Sequence, residues 1–103
     1  MRSVAYKGYT VYENGNIVGK KGIRKISQRP DGYLQITTMD PTNWKKRVNY
    51  MHHRFIYEAF NGPVSDSMHV DHIDQNKTNN NLSNLRILSP KQNMHNRGGK
   101  YKL

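Results

Sequence analysis

The sequence predicts an α+β fold, and three observations predict it. Short β-like runs, punctuated by Gly, Pro, Asn and Asp turns, fill residues 1–50. Apolar residues at helical spacing come next. After them stand a strand, a polar Asn-rich loop, a second strand and a helix-start signal. At 103 residues the chain is the size of one domain and can hold only one modest core.

Tyr9 and Val11 stand on one side of Glu13-Asn14-Gly15-Asn16 and Ile17 on the other. Asn-Gly between apolar runs is a strong hairpin signal, because both residues accept the positive φ that a tight turn needs. Gly22 and Pro30-Asp31-Gly32 break up the stretch between Ile17 and Tyr33. Tyr33 to Thr37 alternates and reads as a half-buried strand; Asp40 to Asn43 reads as a loop, and Arg47 to Met51 as another strand. These runs predict a small antiparallel N-terminal sheet with Lys and Arg on its wet face. Met51, Phe55, Ile56, Ala59 and Phe60 predict a helix over about His53 to Phe60, packed on that sheet. Asn61-Gly62-Pro63 ends it. Met68 to Asp74 is a short strand with ionisable side chains at its end, Gln75 to Asn84 an ordered polar loop, and Leu85 to Leu88 a strand. Ser89-Pro90 then opens a second helix, Ser as N-cap and Pro at the first helical position, and Gly98-Gly99 stops it.

Charge points to the partner. Seventeen Lys and Arg oppose seven Asp and Glu, a formal net charge of +10, with a pI near 10.0. Such an excess concentrates polyanions and favours phosphate backbones. Mean hydropathy is low, −0.98, in keeping with a loop-rich chain. Cysteine is absent, which excludes disulfides and Cys-based zinc sites. Residues 1–7 lack the apolar run of a signal peptide, and no apolar stretch is long enough to span a bilayer. A cytoplasmic protein with no membrane partner is the expectation.

The chemistry concentrates in residues 70–96. Phosphodiester hydrolysis needs a nucleophilic water, charge stabilisation at phosphorus, and charge relief on the leaving oxygen. A hard divalent cation with oxygen ligands supplies the last two. Asp71 offers a carboxylate oxygen, Asn93 an amide oxygen, and His72 an imidazole able to take the water's proton. His52, His53 and His69 raise the alternative of a zinc cluster with His72, His69 and His72 being three apart. Without cysteine, and with His72 better suited to base chemistry, this is the lesser reading. For His53 and Arg54, packing, hydrogen bonding to the loop and phosphate contact all stay open. Asp74 is either a carboxylate supporting the site or a turn cap.

Val70-Asp71-His72-Ile73-Asp74, Asn76-Lys77-Thr78-Asn79-Asn80, Leu82-Ser83-Asn84-Leu85-Arg86 and Gln92-Asn93 together resemble the HNH (ββα-metal) motif of phage and intron-encoded homing endonucleases. Upstream, Gly8 to Ile17 is similar to that subfamily's N-terminal module, and Asp31-Gly32-Tyr33, His53-Arg54-Phe55 and Ala59-Phe60 fall in its usual order. The resemblance implies one HNH domain over 1–103. Within it residues 1–50 would be a strand-rich DNA-contacting region, 51–62 a helix, 68–97 the ββα-metal motif and 98–103 a flexible tail. It further implies Asp71 and Asn93 as ligands of Mg2+, with Mn2+ or another divalent ion as substitute, and His72 as general base. Asn84 is implied to pin the polar loop so that His72 faces the phosphate. The last motif position is Asn93 where many relatives have His, and His95 lies close by to assist or replace it. Lys20, Lys21, Arg24, Lys25, Lys45, Lys46, Arg47, Arg54, Arg86 and His95 are the expected contacts to double-stranded DNA. Further expectations are a nicking enzyme, a monomer or weak dimer, and a phage-encoded protein at work in a bacterial host. A non-catalytic DNA-binding module of the same fold and a basic RNA-binding protein are the alternatives.

Overall fold

A computed structural model describes the backbone of residues 1–40 and 43–91, and the side chains of all of these except 39, 40 and 43–45. Four short strands, β1 (Ser3–Tyr6), β2 (Tyr9–Tyr12), β3 (Ile17–Gly19) and β4 (Gly22–Ile23), form one antiparallel sheet in sequence order. Strands β5 (Ser27–Gln28), β6 (Leu34–Asp40) and β7 (Asn43–Met51) form a second. Helix α1 (His52–Asn61) comes directly after β7, and β8 (His69–His72) pairs antiparallel with β9 (Leu85–Leu88) as a separate two-stranded ribbon.

The expected N-terminal sheet is therefore two sheets. Residues 24–26, between β4 and β5, belong to neither sheet, and the Arg24 guanidinium crosses the gap, its Nη2 donating to the Thr37 carbonyl at 2.9 Å. The Asn14-Gly15 hairpin forms as the sequence predicts: Tyr12 N–H donates to Asn16 O, Gly15 N–H to Tyr12 O, and Asn16 N–H to Asn14 Oδ1. Between β1 and β2 the turn is Lys7-Gly8, both at positive φ (52° and 85°), as a two-residue hairpin twisted like its strands requires. The Pro30–Gly32 turn closes with Arg29 N–H on Tyr33 O at 2.8 Å.

Helix α1 exists because its apolar stripe has somewhere to go. Phe55 and Ile56 are buried with Val11 and Ile17 of the first sheet, Ile36 of the second, and Val70 and Leu85 of the ribbon, in one cluster. Each fully buried side chain of this size contributes about 1.5–3 kcal/mol. The Phe55 ring meets Tyr6 edge-on at 5.0 Å, Tyr9 at 6.4 Å and Tyr50 at 5.5 Å, so one side chain ties both sheets to the helix. Gly62, at φ 89°, ends α1 with its N–H on the Glu58 carbonyl. Arg54 staples the helix to the loop beyond: Nε donates to Glu58 Oε1 at 2.9 Å and Nη2 to the Val64 carbonyl at 2.6 Å. Helical backbone resumes at Pro90 and Lys91, where the sequence predicts the second helix. Its remainder, including Asn93 and His95, lies outside the described residues, as does the tail. Among the described residues, no helix is long and apolar enough to cross a membrane.

Candidate active site

Strand β8 delivers Asp71 and His72, and β9 runs back beside it in the register Asp71↔Arg86 and His72↔Leu85. Between them the chain makes a loop closed by asparagine side chains, which accept and donate at once and so replace backbone pairing. Asn84 is the tie. Its Oδ1 accepts from Asp74 N–H at 3.1 Å, and its Nδ2 donates to Asp74 Oδ1 at 2.8 Å and to the Asn79 carbonyl at 2.9 Å. Asp74 also accepts from Asn79 Nδ2 and Asn76 N–H at 2.8 Å each. The Asn79 amide above all, then those of Asn76 and Asn84, hold its carboxyl below the usual range. Of its two open roles, Asp74 takes the turn-capping one within the described residues.

Asp71 and His72 line one cleft of about 260 Å³ together with Tyr33, His53, Arg54 and His69. Asp71 is half-buried, and its Oδ2 accepts from Arg86 Nε at 3.1 Å. His72 is buried, with Nε2 2.6 Å from Asn80 Oδ1. The His53 ring lies 4.8 Å from that of His72 and stacks on Tyr33 at 5.4 Å. Burial, and then its neighbours His72, His52 and Arg54, push the His53 pKa down to about 3, so this imidazole is neutral. Its Nδ1 is buried with no hydrogen-bond partner among the described residues. Tyr33 is in turn capped by Lys77, whose Nζ sits 4.7 Å from the ring centre and donates to the Asp31 carbonyl.

The four-histidine zinc alternative finds no support: no group of three or more His, Cys, Asp or Glu able to hold a metal occurs among the described residues. The expected DNA contacts divide. Lys20, Lys21, Lys25, Lys46 and Arg47 are exposed, Lys20 and Lys21 at the β3–β4 hairpin tip and the last two on β7. The guanidinium groups of Arg24, Arg54 and Arg86 are engaged inside the protein, by Thr37, by Glu58 and Val64, and by Asp71. The side chain of Lys45, like Asn93 and His95, falls outside the described residues. Two residues gain a role the sequence does not announce. His52 and Asn80 stand behind His72, with Asn80 Nδ2 2.9 Å from His52 Nδ1 and His52 Nε2 2.7 Å from the Gly15 carbonyl. In the sequence Asn80 is one asparagine among several, and His52 one half of a His-His pair; no spacing signal separates them from their neighbours.

An Asp-His pair on a two-stranded ribbon, closed by an Asn-pinned loop and followed by a helix start, defines the ββα class of nuclease fold. Comparison with known proteins narrows the class to a family. Residues 50–95 match the HNH endonuclease family. The chain is 39% identical over 85 residues to YosQ, an SPbeta prophage-derived HNH homing endonuclease candidate of Bacillus subtilis, covering 81% of this chain and 48% of that one. It is 32% identical over 88 residues to an uncharacterized HNH endonuclease of Acanthamoeba polyphaga mimivirus, covering 84% of this chain and 26% of the other. A solved structure, described as DNA binding and cleavage by the HNH homing endonuclease I-HmuI, superposes with a TM-score of 0.80 at 29% identity, over 93% of this chain and 57% of that one. The chain is a member of the HNH endonuclease family, with the fold of its homing enzymes. It spans less than half the length of YosQ and of the mimivirus relative.

Proposed function

We propose that the chain is a divalent-metal-dependent DNA endonuclease whose single site nicks one strand of a duplex. The observation that supports this most is the meeting of Asp71 and His72 in one cleft, with loop and ribbon bonded so as to hold both. At about 260 Å³ the cleft has room for a phosphate group and a water, which takes about 30 Å³. The donor chemistry fits a hard cation: Arg86 engages only Oδ2 of Asp71, leaving Oδ1 as a carboxylate ligand, and Asn93 is the second ligand we assign. A bound Mg2+ or Mn2+ would supply charge relief at the phosphate and at the departing 3′ oxygen. The chain's own residues do the rest. His72 accepts the proton of the attacking water as the water oxygen bonds to phosphorus. The bond from phosphorus to the 3′ oxygen breaks, giving a 5′-phosphate and a 3′-hydroxyl whose proton comes from solvent. Asn84 keeps the loop, and so His72, in place through its three hydrogen bonds. The exposed Lys20, Lys21, Lys25, Lys46 and Arg47 track the phosphate backbone of double-stranded DNA.

Purified protein should convert supercoiled plasmid to the open circle with Mg2+ or Mn2+, as a monomer, and His72→Ala should stop this while melting at the wild-type temperature. Unimpaired cleavage by a folded His72→Ala protein would remove the mechanism. The Arg86–Asp71 pair favours a second reading, since an arginine already balances the carboxylate: a DNA-binding module of the same fold without turnover. Binding without cutting under every divalent ion would decide for it. The prophage-derived relative supports a phage-encoded protein acting in the cytoplasm of a bacterial host.

A further inference from the structure

We propose that His52 and Asn80 are positioning residues that fix which nitrogen of the His72 ring is basic, through a relay of hydrogen bonds that begins at the Gly15 carbonyl. The proposal rests on the reading of His72 as general base, and adds how that ring is kept in the form a base requires.

Ring tautomers and amide orientations are set by the partners available, and here one partner leaves no choice. A backbone carbonyl only accepts, so His52 Nε2, 2.7 Å from Gly15 O, carries a proton. His52 is 5% exposed, and burial, above the opposing pull of the Gly15 carbonyl, pushes its pKa down. The ring is therefore neutral, and its Nδ1 is a bare acceptor. Asn80 meets that acceptor at 2.9 Å, so it must present its NH2 group there. Its Oδ1 then faces His72 Nε2 at 2.6 Å, which obliges Nε2 to donate. Whenever the His72 ring carries a single proton, that proton is thereby placed on Nε2 and the lone pair on Nδ1. Turning the Asn80 amide round fails at His52, which would need protons on both nitrogens: a buried cation with a carbonyl and an amide oxygen as partners. All three side chains are buried, Asn80 at 3%, so water does not readily replace a lost partner. The hairpin is built tightly against the relay: a Cβ on Gly15 would lie 3.3 Å from the Asn80 carbonyl oxygen and 3.4 Å from His52 Cε1.

The test is the long-range proton–nitrogen NMR spectrum of the histidine rings of the full chain at neutral pH without metal, beside plasmid nicking with Mg2+. In the wild type, His52 and His72 should both be protonated on Nε2 alone. In Asn80→Ala and His52→Phe, the His72 ring should show mixed tautomers, with kcat lowered about 10–100-fold, as when a group that orients a reacting ring is lost, and KM held within about twofold. Asn80→Asp keeps an oxygen toward His72 but sets the other against His52 Nδ1, so it should retain the Nε2–H of His72 and add a proton to His52 Nδ1, even where Asn80→Ala does not fold. Protonation of wild-type His72 on Nδ1, or an unchanged tautomer in the folded Ala and Phe variants, would overturn the proposal. The two claims separate cleanly. Wild-type protein with the expected spectrum and no nicking refutes the endonuclease reading and leaves the relay standing; nicking protein with the wrong tautomer does the reverse.

Discussion

Replacing Gly15 by alanine tests the join between hairpin and site, and a second glycine provides its control. Gly8 and Gly15 both have positive φ, +85° and +97°, so alanine at either position carries a backbone cost of about 1–3 kcal/mol. Their surroundings differ. An added Cβ at Gly8 meets nothing within 4 Å, whereas at Gly15 it meets the Asn80 carbonyl oxygen at 3.3 Å and His52 Cε1 at 3.4 Å. Those neighbours are buried and must yield by a few tenths of an ångström, and forcing an extra methyl into a packed site costs about 1–3 kcal/mol. Gly15→Ala should therefore lose about 1–3 kcal/mol more than Gly8→Ala, read as the difference between two urea-unfolding curves. On the melting temperature of a domain this size, the difference amounts to about 5–20 °C. Nicking by the folded fraction should fall in Gly15→Ala and hold in Gly8→Ala, because only the former pushes on His52 and Asn80. Equal stability losses in the two variants would mean that the hairpin does not press on the site, and the reasoning would fail.

Phe55→Ala removes the ring that joins both sheets to α1 and should cost about 3–5 kcal/mol; a loss below about 1 kcal/mol in urea unfolding would contradict the packing. Acid should unfold the protein progressively between about pH 6.5 and pH 3. The His53 pKa falls from 6.5 to about 3 on folding, so the unfolded chain binds a proton there that the native ring refuses. Its stabilising contribution is full above pH 6.5 and is lost as the pH drops toward 3; His53→Phe should flatten this slope, and parallel pH–stability curves would refute the assignment. Arg54→Ala should lose about 1.5–3 kcal/mol from hydrogen bonds to a charged group while leaving the salt dependence of DNA affinity unchanged. A phosphate contact would instead lower that slope by about one. Lys20→Gln combined with Lys21→Gln should lower the slope by about 1–2, at about 0.9 per phosphate contact, with folding intact by circular dichroism.

Short-range signals account for the elements that were legible in the sequence. Asn14-Gly15 announced its hairpin, the Phe55-Ile56 stripe its helix, Gly62 the helix end, and Leu85 to Leu88 its strand. The Lys7-Gly8 turn stayed hidden because lysine rarely takes positive φ, and with it strand β1. Strands β4 and β5 have two residues each, too few for any period to show. The division into two sheets depends on pairing, which no local run contains. At the site, Asp71, His72 and Asn84 were legible from spacing and resemblance. The roles of the other asparagines in the loop were not, because Asn79 and Asn80 differ only in what surrounds them. His52 and Asn80 stand 28 positions apart, and only the fold makes them neighbours.

The Gly15 hairpin also decides how portable the candidate site is. Glu13 accepts the Leu82 N–H at 2.7 Å, and Gly15 accepts from His52, so the first sheet is bolted to the loop behind β8. Residues 68–97, grafted alone onto another scaffold, would carry Asp71 and His72 without their buttress. A chimera built from this protein needs to import the hairpin of residues 9–19 as well, or to supply another carbonyl at the same place.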